Sequence, residues 1–205
     1  MAGALVAFEG IDQAGKMTQA RSVQARLREL GVTCELRGYP EYATPIGRLI
    51  QASLRDTPMD ARARVMLFAA NRWEKDAEIR QLVERHALVL VDRYTWSNVV
   101  YGAAQGFDEE WVRNLENGLQ PAHLTLFLDI PAAESIRRKS MERDGFERNV
   151  ELLESARAHY LRLSKQLDWV VVDGERPQLE VTAAILRAMQ ERLSRRVPLL
   201  ARGIP

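Results

Sequence analysis

The chain has 205 residues, 46% of them apolar, and 29 Lys plus Arg against 28 Asp plus Glu leave a net charge of +1. That length suits one domain with a sizeable core, and the near-perfect charge balance excludes a polybasic nucleic-acid-coating protein or an acidic disordered tail as the main role. The single cysteine, Cys34, excludes an intramolecular disulfide and a cysteine-cluster zinc site.

Nothing in the sequence reads as a membrane span, which needs ~18 or more apolar residues. Residues 1–8 are apolar but lack the basic start of a signal peptide and run at once into Glu9. A reducing, cytoplasmic setting with no membrane partner is therefore expected. The three histidines, His86, His123 and His159, have no ligand spacing and are assigned no metal role.

Residues 4–8 form the first of five short apolar runs, followed by 32–36, 88–91, 124–128 and 169–172. The runs are continuous rather than alternating, the signature of strands buried on both faces. Immediately after the first comes Gly10-Ile11-Asp12-Gln13-Ala14-Gly15-Lys16-Met17-Thr18. Gly10, Gly15 and Lys16 match G-x-x-x-x-G-K between a strand and a helix. In such a loop the glycines let successive backbone N–H groups curl round a phosphate, the helix N-terminus adds partial positive charge, and the lysine reaches the outer phosphates. With only 4 lysines among the 29 basic residues, Lys16 stands out. Met17 occupies the position where a Ser or Thr hydroxyl would ligate Mg²⁺, and Thr18, ~100° further round the helix, cannot stand in.

A helix is expected over 22–30, where Val23, Leu27 and Leu30 share a face and Gly31 supplies a C-cap. Cys34, inside the second apolar run, reads as a packed thiol. Residues 61–84 are Arg/Glu-rich and long enough for more than one helix. Phe68 and Arg72 share a face there, a ring to stack on a base beside a guanidinium to bond its carbonyls. The third apolar run ends in Asp92-Arg93-Tyr94, where a carboxylate can hold a Mg²⁺-bound water and a guanidinium can bridge phosphates. Asp129 and Asp173 also end apolar runs, and Asp129, before Pro131, is expected in a cap or turn. The charged stretch 137–145 interrupts a helical pattern and is a candidate lid carrying cations. Helical spacing returns over 150–167 and 178–193. Strands alternating with helices indicate an α/β fold with a mainly parallel sheet and helices on both faces, its ligands lying beyond the carboxyl ends of the strands.

With these residues in view, the sequence resembles the thymidylate kinases, P-loop nucleoside monophosphate kinases, over nearly its whole length. Phe8-Glu9-Gly10-Ile11-Asp12 with Gly15-Lys16 and Thr18-Gln19 is similar to that family's opening, and Leu67-Phe68-Ala69-Ala70-Asn71-Arg72-Trp73-Glu74 to its base-binding helix. Asp92-Arg93-Tyr94 with Ser97 and Tyr101 resembles its D-R-[YH] segment, and Asp144, Phe146 and Glu147 the end of its lid. The resemblance implies a single nucleotide kinase domain over 1–205 with a five-stranded parallel sheet and a mobile lid at about 137–148. It implies phosphoryl transfer from ATP to dTMP, with Mg²⁺, in a homodimer whose partners are nucleotides rather than nucleic acid. Asp12 would take the sugar 3′-hydroxyl, Phe68 stack on thymine, Arg72 bind a thymine carbonyl, Arg93 contact the acceptor phosphate, and Tyr101 disfavour a 2′-hydroxyl. Ser97 belongs to the same substrate set, residues 10–18 hold the ATP phosphates, Asp92 holds the metal through water, and Arg138 and Arg143 are lid cations.

Three departures accompany the resemblance. Met17 lacks the hydroxyl, Gln13 stands where one branch carries a loop arginine, and Tyr42 in Tyr39-Pro40-Glu41-Tyr42 replaces a phosphate-binding arginine. A cis Tyr39–Pro40 bond is expected, as in relatives. Two alternatives stay open: a P-loop kinase for another pyrimidine nucleotide, and a nucleotide-binding protein whose catalysis is weakened by Met17.

Overall fold

In the computed structural model, which describes residues 3–55, 57–140 and 150–202, each apolar run forms a strand. These are β1 (Ala4–Glu9), β2 (Cys34–Gly38), β3 (Leu88–Asp92), β4 (Leu124–Asp129) and β5 (Val170–Asp173). All pair in parallel in the order β2-β3-β1-β4-β5. The chain leaves β1 toward β2 on one side and leaves β3 toward β4 on the other. A crevice therefore opens between the carboxyl ends of β1 and β3, the switch point where such sheets bind ligands. The register sets Phe8 beside Asp92, so the two motifs that follow these strands leave the sheet side by side.

Strand side chains alternate between faces, and both faces are covered. Ala4, Val6 and Phe8 pack in one core with Val23 and Leu27 of α1 (Lys16–Glu29) and Ile185 and Met189 of α9 (Gln178–Leu193). Leu5 and Ala7 face the opposite core with Val89, Val91 and Ile79 and Val83 of α4 (Asp76–Arg85). Apolar residues are thus needed at positions 4–8 of β1, and each fully buried large one stabilises the fold by ~1.5–3 kcal/mol. Cys34 is buried as expected, and burial pushes its thiol up to about 12.

The stretch 61–84 divides into α3 (Ala61–Trp73) and α4, with Asp60 capping α3 by accepting from the Arg62 and Ala63 amides. Leu30 is the C-cap of α1, and Gly31, one residue further, takes the left-handed φ of +74 that ends a helix. α1 itself begins at Lys16 rather than at residue 22, because its first turn buries Lys16 and Gln19 instead of an apolar stripe. Three helices lie outside the expected stretches: α2 (Pro45–Arg55), where Ile46, Leu49, Ile50 and Leu54 do keep helical spacing, α5 (Thr95–Ala104) and α6 (Glu109–Glu116). α5 is packed against α3, α6 and α8 (Val150–Gln166) and buries Ser97, Asn98, Val99 and Val100 together, so it has no polar face to give a period. α6 carries a signal that was readable: Asp108 caps it, accepting from the Trp111 amide at 2.7 Å.

Residues 137–140 belong to a regular helix, α7 (Ala132–Ser140), so the charged stretch does not break the helix at Arg137. Glu134 holds that turn together by accepting from both Arg137 and Arg138. Arg143, Asp144, Phe146 and Glu147, and with them most of the expected lid, lie outside the described residues. A short 3-10 helix (Pro198–Arg202) follows α9.

Candidate active site

β1 delivers the phosphate loop. Gly10 has φ +145, and a Cβ there would lie 2.6 Å from the Leu128 carbonyl oxygen, so only glycine passes this close to β4. Gly15, at φ +87, turns the chain into α1 as its N-cap without a side-chain cap, so the first-turn amides of α1 remain for a ligand. Lys16 is buried and its Nζ donates to the Ile11 carbonyl at 2.7 Å, inside the loop. Burial, assisted by Arg93, pushes its ammonium down to about 7 against the opposing pull of Asp92, Asp12 and Glu9.

Arg138 reaches this loop from α7. Its Nη1 donates to the Gln13 carbonyl at 3.1 Å, Nη2 to the Gly174 carbonyl at 2.9 Å and Nε to Glu134 at 2.7 Å. The expected lid cation is therefore engaged as a brace on the loop's outer edge. Ser135 adds a second brace, donating to the Asp12 carbonyl at 2.7 Å.

Asp92 ends β3 beside the loop, and its buried Oδ1 is without a hydrogen-bond partner among the described residues. Burial raises its pKa, while Lys16, Arg93 and Arg21 favour the carboxylate. An orphaned buried carboxylate oxygen needs a donor, and a metal-bound water supplies one. The residues present thus fit a hydrated Mg²⁺. Met17 does not fit as a ligand: a thioether is soft and neutral where Mg²⁺ demands oxygen. Its methyl is turned toward Gly38, where an added Cβ would lie 3.1 Å from Met17 Cε and 3.7 Å from Asp92 Cβ. Asp129, by contrast, neither caps a helix nor stays open, since Arg157 binds both its oxygens at 2.7 and 3.0 Å. Asp173 pairs with Arg176 and accepts from the Glu175 amide.

Next to the loop lies a cavity of about 480 Å³ whose walls include Asp12, Phe68, Arg72, Arg93, Ser97 and Tyr101. These six residues, from three stretches of the chain, line one cavity. A wider depression of about 1130 Å³ opens near His123, Leu124 and Trp169, at the amino ends of β4 and β5. Ligands of parallel sheets bind at the other, carboxyl, end, and the motifs converge there.

Arg93 sits in the left-handed region at φ +60, which aims its side chain back across β1. Its guanidinium pairs with Asp12 and lies over the Tyr101 ring at 5.5 Å. Burial works against its charge, but Tyr101 and Asp12 outweigh that and raise its pKa. Tyr101 also donates to Asp12 at 3.3 Å. Ser97 lines the cavity yet spends its hydroxyl elsewhere, donating to Glu9 at 2.6 Å.

Arg72 is buried, contrary to the usual solvated arginine. Its Nε and Nη2 bind the Glu116 carboxylate at 2.8 and 2.5 Å, which overrides burial and raises its pKa. The Tyr39–Pro40 bond is cis, and Tyr39, Pro40 and Tyr42 line the same cavity.

Several contributors escaped sequence reading. Glu9, fully buried, accepts from the Tyr94 and Ser97 amides, the Ser97 hydroxyl and, at 3.0 Å, the Tyr160 phenol. It thereby ties the Arg93 turn to α8. Burial raises its pKa, and these hydrogen bonds oppose the rise. Glu116 and Asn98 stand behind Arg72. Arg64, one helical turn before Phe68, brings another guanidinium to the cavity that Tyr42 lines. Only Arg64 had a local signal, its i, i+4 spacing from Phe68.

The family model described as thymidylate kinase matches residues 8–185. A human thymidylate kinase is 31% identical over 192 residues, covering 92% of this chain and 90% of its own. One from Synechococcus sp. (strain CC9311) is 35% identical, covering 93% and 97%. A probable thymidylate kinase from Pyrobaculum calidifontis is 36% identical, covering 90% and 96%. The solved structure of thymidylate kinase from Candida albicans superposes with a TM-score of 0.76 at 24% identity, covering 93% of this chain and 92% of that one, and so matches in fold.

Proposed function

The chain belongs to the thymidylate kinase family and phosphorylates dTMP with ATP; we propose that it does so with dTMP in the 480 Å³ cavity and the ATP phosphates on the Gly10–Thr18 loop. The observation that carries this assignment is the convergence of Phe68, Arg72, Tyr101, Asp12 and Arg93 in one cavity opening beside Lys16. Neither alternative raised by the departures, another acceptor or a non-catalytic binder, is favoured by the family match.

Phe68 stacks on the base while Arg72 Nη1, the guanidinium nitrogen not bound to Glu116, reaches a base carbonyl. Tyr101 packs under the deoxyribose and Asp12 takes the 3′-hydroxyl. Arg93, adjoining both loop and cavity, orients the acceptor phosphate toward the transferring group. Lys16 stays with the outer phosphates as charge shifts toward the bridging oxygen. Phosphoryl transfer asks mainly for this positioning and charge neutralisation. Asp92 would hold Mg²⁺ through water, and the cation, when bound, neutralises the donor phosphates. Arg138, through the Gln13 and Gly174 carbonyls, keeps the loop in shape.

A homodimer is supported by Leu49 and Met66, 54% and 44% exposed on the packed pair α2 and α3, apolar ground for a second copy. A cytoplasmic setting agrees with a chain whose one cysteine, Cys34, has no disulfide partner. No helix among the described residues is long and apolar enough to cross a membrane. The decisive assay is ADP release with each nucleoside monophosphate as acceptor. Saturable turnover of dTMP above the others is expected; turnover preferring a purine acceptor would overturn the assignment of the cavity.

A further inference from the structure

Glu116 ends α6 with its side chain 4% exposed, and it holds two cavity residues at once. Besides its two bonds to Arg72, its Oε1 accepts from Asn98 Nδ2 at 2.6 Å. The same Nδ2 donates its other hydrogen to the Val65 carbonyl at 3.1 Å. A carboxylate and a carbonyl only accept, so the amide nitrogen of Asn98 must face them and its Oδ1 must face away. Asn98 is itself part of the cavity wall, and its Oδ1 has no protein partner among the described residues. Arg72, on the same wall, has Nε and Nη2 committed and Nη1 left over. Around Glu116 the wall therefore offers an acceptor, Asn98 Oδ1, and a donor, Arg72 Nη1.

That pair has a chemical complement. Thymine presents the N3–H donor next to the O4 acceptor. Cytosine presents an N3 acceptor next to an N4 amine, so both of its groups would meet their own kind. We infer that Glu116, which need not touch substrate, is the positioning residue that sets preference for thymine over cytosine, by locking the polarity of Asn98 and the orientation of Arg72. The inference rests on the cavity being the acceptor-base site. It predicts no discrimination between thymine and uracil, because their N3–O4 edges are identical.

The test uses Glu116→Gln in the full chain, with dissociation constants for dTMP, dUMP and dCMP measured by calorimetry. A glutamine keeps the shape but can set its own amide donor against Asn98, which removes one of the two acceptors that hold the Asn98 nitrogen out of the cavity and leaves only the Val65 carbonyl. The expected result is a fall in the dTMP-over-dCMP binding ratio of roughly tenfold or more, the scale of a buried bond made or left unmet. The dTMP-over-dUMP ratio and the affinity for ATP should stay as in the parent. A buried ion pair broken on one side can unfold a protein, so circular dichroism accompanies each titration. If Glu116→Gln does not fold, Asn98→Ala carries the test: it removes the acceptor, leaves the Arg72–Glu116 pair intact, and should lower the same ratio. An unchanged dTMP-over-dCMP ratio in a folded variant overturns the inference, even if overall affinity drops, since a merely structural pair would weaken both ligands alike. Phe68→Ala separates the two levels. If it leaves dTMP binding untouched, the base lies elsewhere and the cavity assignment falls along with the inference.

Discussion

Lys16 offers a measurable consequence of burial. Its ammonium is pushed down to about 7, whereas a phosphate chain laid against it supplies the charge that burial withholds. ATP binding should therefore draw a proton onto the enzyme. With a free-enzyme pKa of about 7, proton linkage gives an uptake of about 0.1 proton per ATP at pH 6, about one half at pH 7 and about 0.9 at pH 8. The sign follows directly: the charged lysine is the binding form, so affinity holds below pH 7 and falls above it, approaching ~10-fold per pH unit. Titration calorimetry in buffers of differing ionisation enthalpy reads the uptake directly. Phosphate esters have a second pKa of about 6, so at pH 8 the nucleotide is already ionised and the proton belongs to the protein. Lys16→Arg should abolish the uptake, since a guanidinium does not deprotonate in this range. Identical heats in all buffers at pH 8 for the parent, or uptake persisting in Lys16→Arg, would refute the reasoning.

Three further outcomes are expected. Met17→Ser should raise turnover at limiting Mg²⁺ with a gain that shrinks toward saturation; an unchanged Mg²⁺ dependence means that water already fills the missing ligand position. Arg64→Ala should raise KM for dTMP about tenfold, the scale of one charge-assisted hydrogen bond, with KM for ATP unmoved, and a parallel rise in both would mark a folding defect instead. Tyr101→Ala should narrow the preference for dTMP over its ribose counterpart, because the ring excludes a 2′-hydroxyl by occupying space; a constant ratio would place that discrimination in another residue.

The five strands, the phosphate loop and the base-binding helix were legible because each is a statement about neighbours in sequence. Central parallel strands need apolar residues at nearly every position, whereas the edge strands β2 and β5 are only partly buried and β2 carries Glu35 and Arg37. The loop needs Gly10 and Gly15 at fixed offsets from Lys16, and a shared helix face needs Phe68 and Arg72 four apart. The order β2-β3-β1-β4-β5 and the pairs that set the site's electrostatics had no such local trace. Arg72 meets Glu116 across 44 positions, Arg93 meets Asp12 across 81 and Tyr160 meets Glu9 across 151. Arg138 reads as a free cation in sequence and proves to be a loop brace, because the two partners that tie it to the loop, the Gln13 and Gly174 carbonyls, are backbone groups that carry no sequence signal. The same limit hid α5, whose all-round burial erased the period that marks a surface helix. Periodicity and turn chemistry are written into adjacent residues, so the sequence alone determined the fold class and the nucleotide chemistry. The charge and polarity of each site atom depend on which groups the tertiary packing presses against it, and those only the fold could decide.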